Sequence, residues 1–238
     1  MIVTDQFVYI HTSRHAGTFT NKLILEHVSG AKMLRYHGHL SDLPKEYTDL
    51  PVIGFVRNPW DWYVSMYFNY KRKRQYLFDI ISEGCTLEFK ETLIRYLTLG
   101  DKTAGSRKLR KRLEKAAPSE ITSATPAKFS RPGLVSSDFN GYSAGLGYYS
   151  WLFMQMHERK GKIRGSIGRF EDLRAELLRL MEKTGTPITP AMRAYTVESE
   201  KLNSSSRDTD YRGYYDDELQ KLVYDKDWQL IEKFNYQF

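Results

Sequence analysis

Arg57 closes the apolar run Val52-Ile53-Gly54-Phe55-Val56, and Ser65 follows it eight residues later. A guanidinium fork and a hydroxyl at that spacing are the residue types that hold a phosphate. A second segment of the same kind lies upstream, where Phe7-Val8-Tyr9-Ile10-His11 runs into Thr12-Ser13-Arg14-His15-Ala16-Gly17-Thr18. A loop between a strand and a helix offers an anion its backbone N–H groups and the positive end of the helix. Gly17 permits close backbone approach, Thr18 adds a hydroxyl and Arg14 supplies a permanent cation. Two such strand ends imply a ligand with two anionic ends. The magnesium-dependent loop G-x-x-x-x-G-K-[ST] and its partner aspartate are not matched. That argues against triphosphate chemistry, whereas a sulfuryl group carries less charge and is stabilised by fixed donors. His37 and His39 alternate as a metal pair would, but no third ligand is evident nearby, and that reading is set aside.

The elements that must position these residues alternate in type. A strand is expected over Phe7–His11 and a helix from about Gly17 to Ser29. Leu23, Ile24, His27 and Val28 fall on one side of that helix, and Gly30 stands just past its end. Val52–Val56 is the second strand. Asn58 can cap the next helix, Pro59 suits its first position, and Asp61 favours its positive end. Ile163–Phe170 reads as a strand and is followed by a helix from Glu171 with Leu173, Leu177, Leu180 and Met181 on one face. A last helix spans about Asp216 to Phe234. The pattern predicts an α/β fold in one domain, residues 1–238, with a central, mainly parallel sheet flanked by helices. Residues 71–160 give a weaker signal and are expected to form an acceptor-binding or lid insertion. Within them the basic run Arg107 to Lys115 reads first as a solvated helix face. Tyr142, Tyr148, Tyr149, Trp151 and Phe153 read as core.

Composition narrows the partners. The chain has 238 residues, 41% hydrophobic, with a formal charge of +7, which favours acidic ligands without choosing among them. Cys85 is the single cysteine, so neither a disulfide framework nor a thiolate metal cluster is expected, and a reducing, cytoplasmic setting fits. With no leader-like opening and no run of eighteen apolar residues, neither secretion nor a membrane span is expected. There is no internal repeat, and Ser204-Ser205-Ser206 is too short to mark a linker.

His11 through Thr18, taken with Arg57-Asn58-Pro59-Trp60-Asp61 through Ser65, resembles the two nucleotide-binding motifs of the PAPS-dependent sulfotransferases. The first is similar to their 5′-phosphosulfate loop, commonly H-x-P-K-T-G-G-T. His11, Gly17 and Thr18 are retained and Arg14 stands at the lysine position. Ser13 replaces the usual proline, His15 a small hydroxyl residue and Ala16 a glycine. The second resembles their 3′-phosphate motif, an arginine and a serine eight residues on, which map to Arg57 and Ser65. Arg169-Phe170-Glu171-Asp172-Leu173 and the segments Tyr211–Tyr215 and Phe234–Phe238 are also similar to recurrent stretches of these enzymes.

The resemblance implies a P-loop NTPase-like fold and PAPS (3′-phosphoadenylyl sulfate) as sulfuryl donor, with no metal. It implies a hydroxyl acceptor on a saccharide or small molecule; apart from it, nothing in the chain resembles an aromatic RNA-binding signature, so no nucleic-acid partner is expected. Nucleotide contacts are expected from Arg14, His15, Ala16, Gly17, Thr18, Phe19, Arg57 and Ser65, with Arg212 or Arg207 covering the 3′-phosphate. Gly38-His39-Leu40 resembles the family's Thr-His-Leu segment and makes His39 the expected base. An unperturbed imidazole, with a pKa of about 6.5, accepts a proton near neutrality. Arg14 cannot readily give up a proton and is expected to stabilise charge on the transferring group. Two alternatives stay open: a small-molecule kinase, and a nucleotide binder of the same fold that turns over weakly.

Overall fold

The computed structural model describes residues 1–122, 124–130, 133–140, 142, 145–159, 162–198 and 210–238. In chain order the elements are β1 (Ile2–Val3), β2 (Val8–Tyr9), α1 (Gly17–His27), β3 (Lys32–Met33), β4 (Val52–Val56) and α2 (Pro59–Lys73). Then come α3 (Tyr76–Ile81), α4 (Phe89–Leu97), α5 (Ala104–Ala116), α6 (Ala127–Ser130) and α7 (Tyr148–His157). The chain continues through β5 (Glu158–Arg159), β6 (Lys162–Ile163), β7 (Ser166–Arg169), α8 (Leu173–Lys183), α9 (Pro190–Glu198) and α10 (Asp217–Lys233).

These elements form two compact units. One holds the described residues within Met1–Arg57 and Phe153–Ser204, the other those within Asn58–Leu152 and Ser205–Phe238. The chain passes from one to the other between Arg57 and Asn58 and again inside α7.

The first unit is α/β, built on a five-stranded sheet in the order β3-β1-β2-β4-β7. The expectation of a mainly parallel sheet needs correction, because the sheet is mixed. β2–β4 and β4–β7 are parallel, whereas β1 pairs antiparallel with both β2 and β3. The reason is the short β1–β2 connection, with Val3 opposite Val8. A tight turn can join only antiparallel neighbours, while parallel pairs need a long crossover. Thr4 fixes that turn: its hydroxyl donates to the Phe7 carbonyl at 3.0 Å and accepts from the Phe7 N–H at 2.9 Å.

Alternation along the strands decides what each face meets. Phe7, Tyr9, Ile53 and Phe55 join Phe19, Leu23 and Ile24 of α1 and Leu177, Leu180 and Met181 of α8 in one buried cluster. Each large side chain there contributes about 1.5–3 kcal/mol by leaving water. Gly54 points the other way, and the space beside it is filled by His157 at the end of α7. Thr12, three residues past β2, and Arg57, the residue after β4, thus follow the carboxyl ends of two adjacent parallel strands. Ligands of open α/β sheets bind at the carboxyl ends of parallel strands.

The second unit is helical. Asn58 caps α2 through its side-chain oxygen, which accepts from the Trp60 N–H at 3.0 Å, and Pro59 opens the helix as the spacing predicts. Trp62 stacks on Tyr149 with ring centroids 4.3 Å apart. Asp227 of α10 is buried and accepts from the Tyr63 hydroxyl at 2.7 Å and from the Ser150 N–H at 2.8 Å. The aromatic residues expected in the core, Tyr142, Tyr148, Tyr149, Trp151 and Phe153, are all buried. The weakly patterned residues 71–160 hold α3 to α7. No helix among the described residues is long and apolar enough to cross a membrane.

Candidate anion-binding site

Between β2 and α1 the backbone turns through two left-handed residues, Arg14 at φ 68° and Ala16 at φ 51°. Left-handed residues alternating with ordinary ones turn consecutive N–H groups inward, the geometry of an anion nest. α1 begins immediately afterwards at Gly17 and adds its own positive end. The conformation costs about 1–2 kcal/mol at each residue bearing a Cβ, so the surrounding contacts must hold it. His15 is one of those contacts. Its buried imidazole donates from Nδ1 to the carbonyls of Ser13 at 2.8 Å and Thr12 at 3.2 Å. Burial, with the Arg57 guanidinium nearby, brings its pKa down to about 3. His15 thus acts as a neutral brace inside the loop.

His11 explains Gly17. A Cβ on Gly17 would stand 1.5 Å from His11 Nε2, so the ring occupies the volume that glycine leaves vacant. The Asn21 side-chain amide lies 3.4 Å from His11 Nδ1 and donates to it, which places the ring proton on Nε2, over the first turn of α1. Burial, then the neighbouring His37, holds the His11 imidazole well below its usual range.

Arg57 ties the two sequence motifs together. Its Nη1 donates to the carbonyl of Arg14 at 3.0 Å, and its guanidinium lies 4.2 Å from the ring centre of Phe170. Val56 is paired with Arg169 in the sheet, so Arg57 and Phe170 are the next residues of neighbouring strands. This parallel register delivers a flat ring to a flat cation, a stack that Arg makes better than Lys. The buried guanidinium is therefore fixed from below by Phe170 and from the side by the loop.

His157 is a member of this group that sequence reasoning missed. Its Nε2 lies 3.0 Å from the Thr12 hydroxyl, its ring stacks on Phe153 with centroids 4.4 Å apart, and a Cβ on Gly54 would reach to 2.3 Å from its Cε1. Burial alone brings its pKa down to about 3. The one signal in the sequence was Gly54 itself, since glycine inside a central strand marks a close approach.

The His37–His39 segment borders the same loop. His37, at φ 53°, donates from Nδ1 to the His11 carbonyl at 2.8 Å, and the two rings lie 4.3 Å apart. Tyr36 lays its ring edge-on to His11 at 5.2 Å while remaining 45% exposed, so it forms part of the rim. His39 is buried, and its backbone N–H donates to Asp42 Oδ2 at 3.2 Å. Asp42 in turn pairs with Arg35 at 2.7 Å. The first unit therefore brings the Arg14–Gly17 loop, Arg57 and the His37–His39 segment together through His11 and the Arg14 carbonyl.

Thr18 is exposed on the first turn of α1, while Phe19 points into the core and stacks on Tyr195 at 5.2 Å. Ser65 is buried in α2 and belongs to the second unit. Arg212, also in the second unit, pairs with Asp210 at 2.8 Å and lies over the Tyr211 ring. Arg207 and Ser204-Ser205-Ser206 lie outside the described residues. Comparison of the chain with family models, curated proteins and solved structures finds no match in any of the three.

Proposed function

We propose that this chain is a PAPS-dependent sulfotransferase with a P-loop-like nucleotide site, moving a sulfuryl group to a hydroxyl of a saccharide or small molecule and releasing adenosine 3′,5′-bisphosphate. The observation that carries this reading is the hydrogen bond from Arg57 to the Arg14 carbonyl, made at the ends of the adjacent parallel strands β2 and β4. The two segments read independently as anion sites are joined by one contact. The inward N–H groups between Arg14 and Gly17, together with the end of α1, fit a phosphosulfate.

PAPS supplies the activated sulfuryl group. In this reading the chain's own residues bind, orient and move one proton. The loop N–H groups and Arg14 stabilise charge on the transferring oxygens, a contribution that needs fixed donors and little rearrangement. Arg57 takes the 3′-phosphate. An imidazole nitrogen of His39 accepts the acceptor's hydroxyl proton, with Asp42 holding the His39 backbone in place.

Thermal melting in the presence of adenosine 3′,5′-bisphosphate and, separately, of ATP with magnesium tests this reading. Only a ligand of the folded state raises the midpoint, by a margin set by its concentration over Kd. Stabilisation by the bisphosphate alone is expected, and stabilisation by ATP with magnesium alone would turn the assignment to a kinase. Transfer of label from sulfur-labelled PAPS to a pooled set of glycans and phenols separates the enzyme from a weak nucleotide binder.

A further inference from the structure

α5 carries the sequence Ala-Gly-Ser-Arg-Lys-Leu-Arg-Lys-Arg-Leu-Glu-Lys-Ala, six cations against the single acid Glu114. Arg107, Lys108, Lys111, Arg112 and Lys115 are all exposed, and with Ala104 they share one open face of the helix. Their spacing is helical: 107, 111 and 115 stand one turn apart, as do 108 and 112, giving a stripe of about 12 Å with cations every ~6 Å. Like charges four residues apart destabilise a helix. Ordinary solvated faces relieve this with interspersed carboxylates, and here no ion pair to these five residues occurs among the described residues. The helix is held by other means. Leu113 is fully buried, and the Thr103 hydroxyl caps the first turn by accepting from the Ser106 N–H at 3.1 Å. Arg110 turns back to the carbonyl of Asp101 at 2.9 Å, and Arg107 bonds the Lys102 carbonyl.

We infer that this stripe is a docking surface for a linear polysaccharide bearing repeated sulfate or carboxylate groups. Charge complementarity selects a polyanion. The apolar side of α5 is committed to the core through Leu113, so nothing remains to insert into a bilayer. α5 carries no aromatic residue on which nucleic-acid bases would stack. A sugar chain satisfies the charge while offering the hydroxyls that sulfuryl transfer requires. This last step rests on the proposed function, and it narrows the acceptor to an already anionic glycan.

The test measures binding of fluorescent dextran sulfate, with unsulfated dextran as control, to the wild-type chain and to a variant carrying Lys108→Gln, Lys111→Gln, Arg112→Gln and Lys115→Gln. Dextran sulfate should bind the wild type, weaken steeply as salt rises from about 50 to about 200 mM, and bind the variant at least about tenfold more weakly with a shallower salt slope. The variant should melt no lower than wild type, because repulsion has been removed. Equal affinity of the two chains for dextran sulfate overturns the inference. So does binding of duplex DNA or of phosphatidylserine vesicles as tight as that of dextran sulfate at matched charge. Titration of the wild type with adenosine 3′,5′-bisphosphate is run alongside. Failure there removes the nucleotide reading, whereas failure of the dextran sulfate comparison removes only the stripe.

Discussion

His11 and Gly17 share one volume: the imidazole of the first lies where a Cβ on the second would be, 1.5 Å from Nε2. The loop between them must therefore return to the spot from which its strand ended, and that closes the nest. Gly17→Ala should lower stability by about 1–3 kcal/mol, the usual cost of overpacking. The double variant His11→Ala/Gly17→Ala should recover part of that loss, because the ring no longer competes. Denaturant melts of these two variants and of His11→Ala check this, and additive losses would show that the two positions do not interact.

Ala16 holds φ 51° where glycine would adopt the same angle freely. Ala16→Gly removes the left-handed penalty but loosens the unfolded chain. The net expectation is a gain of about 0.5 kcal/mol. Ala16→Val should instead destabilise, since a β-branched residue tolerates that angle worse. Both are read from chemical melts.

Four buried histidines make the fold acid-sensitive. His15, His37 and His157 are pushed down to about 3 and His11 well below its usual value, in each case chiefly by burial. In the unfolded chain they titrate near 6.5. Between those values the unfolded state binds protons that the folded state does not, so stability is full above about pH 6.5 and falls as the pH is lowered. Asp227 works the other way, with its carboxyl raised to about 6 by burial. Four histidines against one carboxylate leave a net uptake of about three protons on unfolding near pH 5. The midpoint in urea should fall steadily from pH 7 to pH 5, and a flat profile would contradict the buried, neutral assignment.

His157→Phe keeps a ring beside Gly54 but removes the hydrogen bond to Thr12. It should cost about 1 kcal/mol of stability. It should also weaken bisphosphate binding severalfold, because Thr12 leads into the nest. A variant with full nucleotide affinity would confine His157 to packing.

Much of this was legible in the residues. Strand Val52–Val56, the Asn58 cap, Pro59 at the first helical position and the start of α1 at Gly17 stand where turn chemistry and spacing put them. β1 and β3 were not legible, since two-residue strands carry no period to read. The sheet's mixed direction follows from those hidden strands. Arg14 and Arg57 could be singled out because charge at a strand end has a local signature. His15's turn into the loop and His157's approach to Thr12 were hidden, because each depends on backbone angles or on a contact 145 residues away in sequence.

Calorimetric titration of adenosine 3′,5′-bisphosphate into the wild-type chain and Arg57→Ala tests the central claim most directly. Removing one charge-assisted contact of about 1.5–3 kcal/mol should weaken binding by about 10- to 100-fold. Arg57→Lys should recover little of it, because lysine keeps the charge but loses the flat stack on Phe170. Equal affinity in wild type and Arg57→Ala, or no bisphosphate binding by the wild type, would contradict a nucleotide site built around Arg57 and the Arg14 loop.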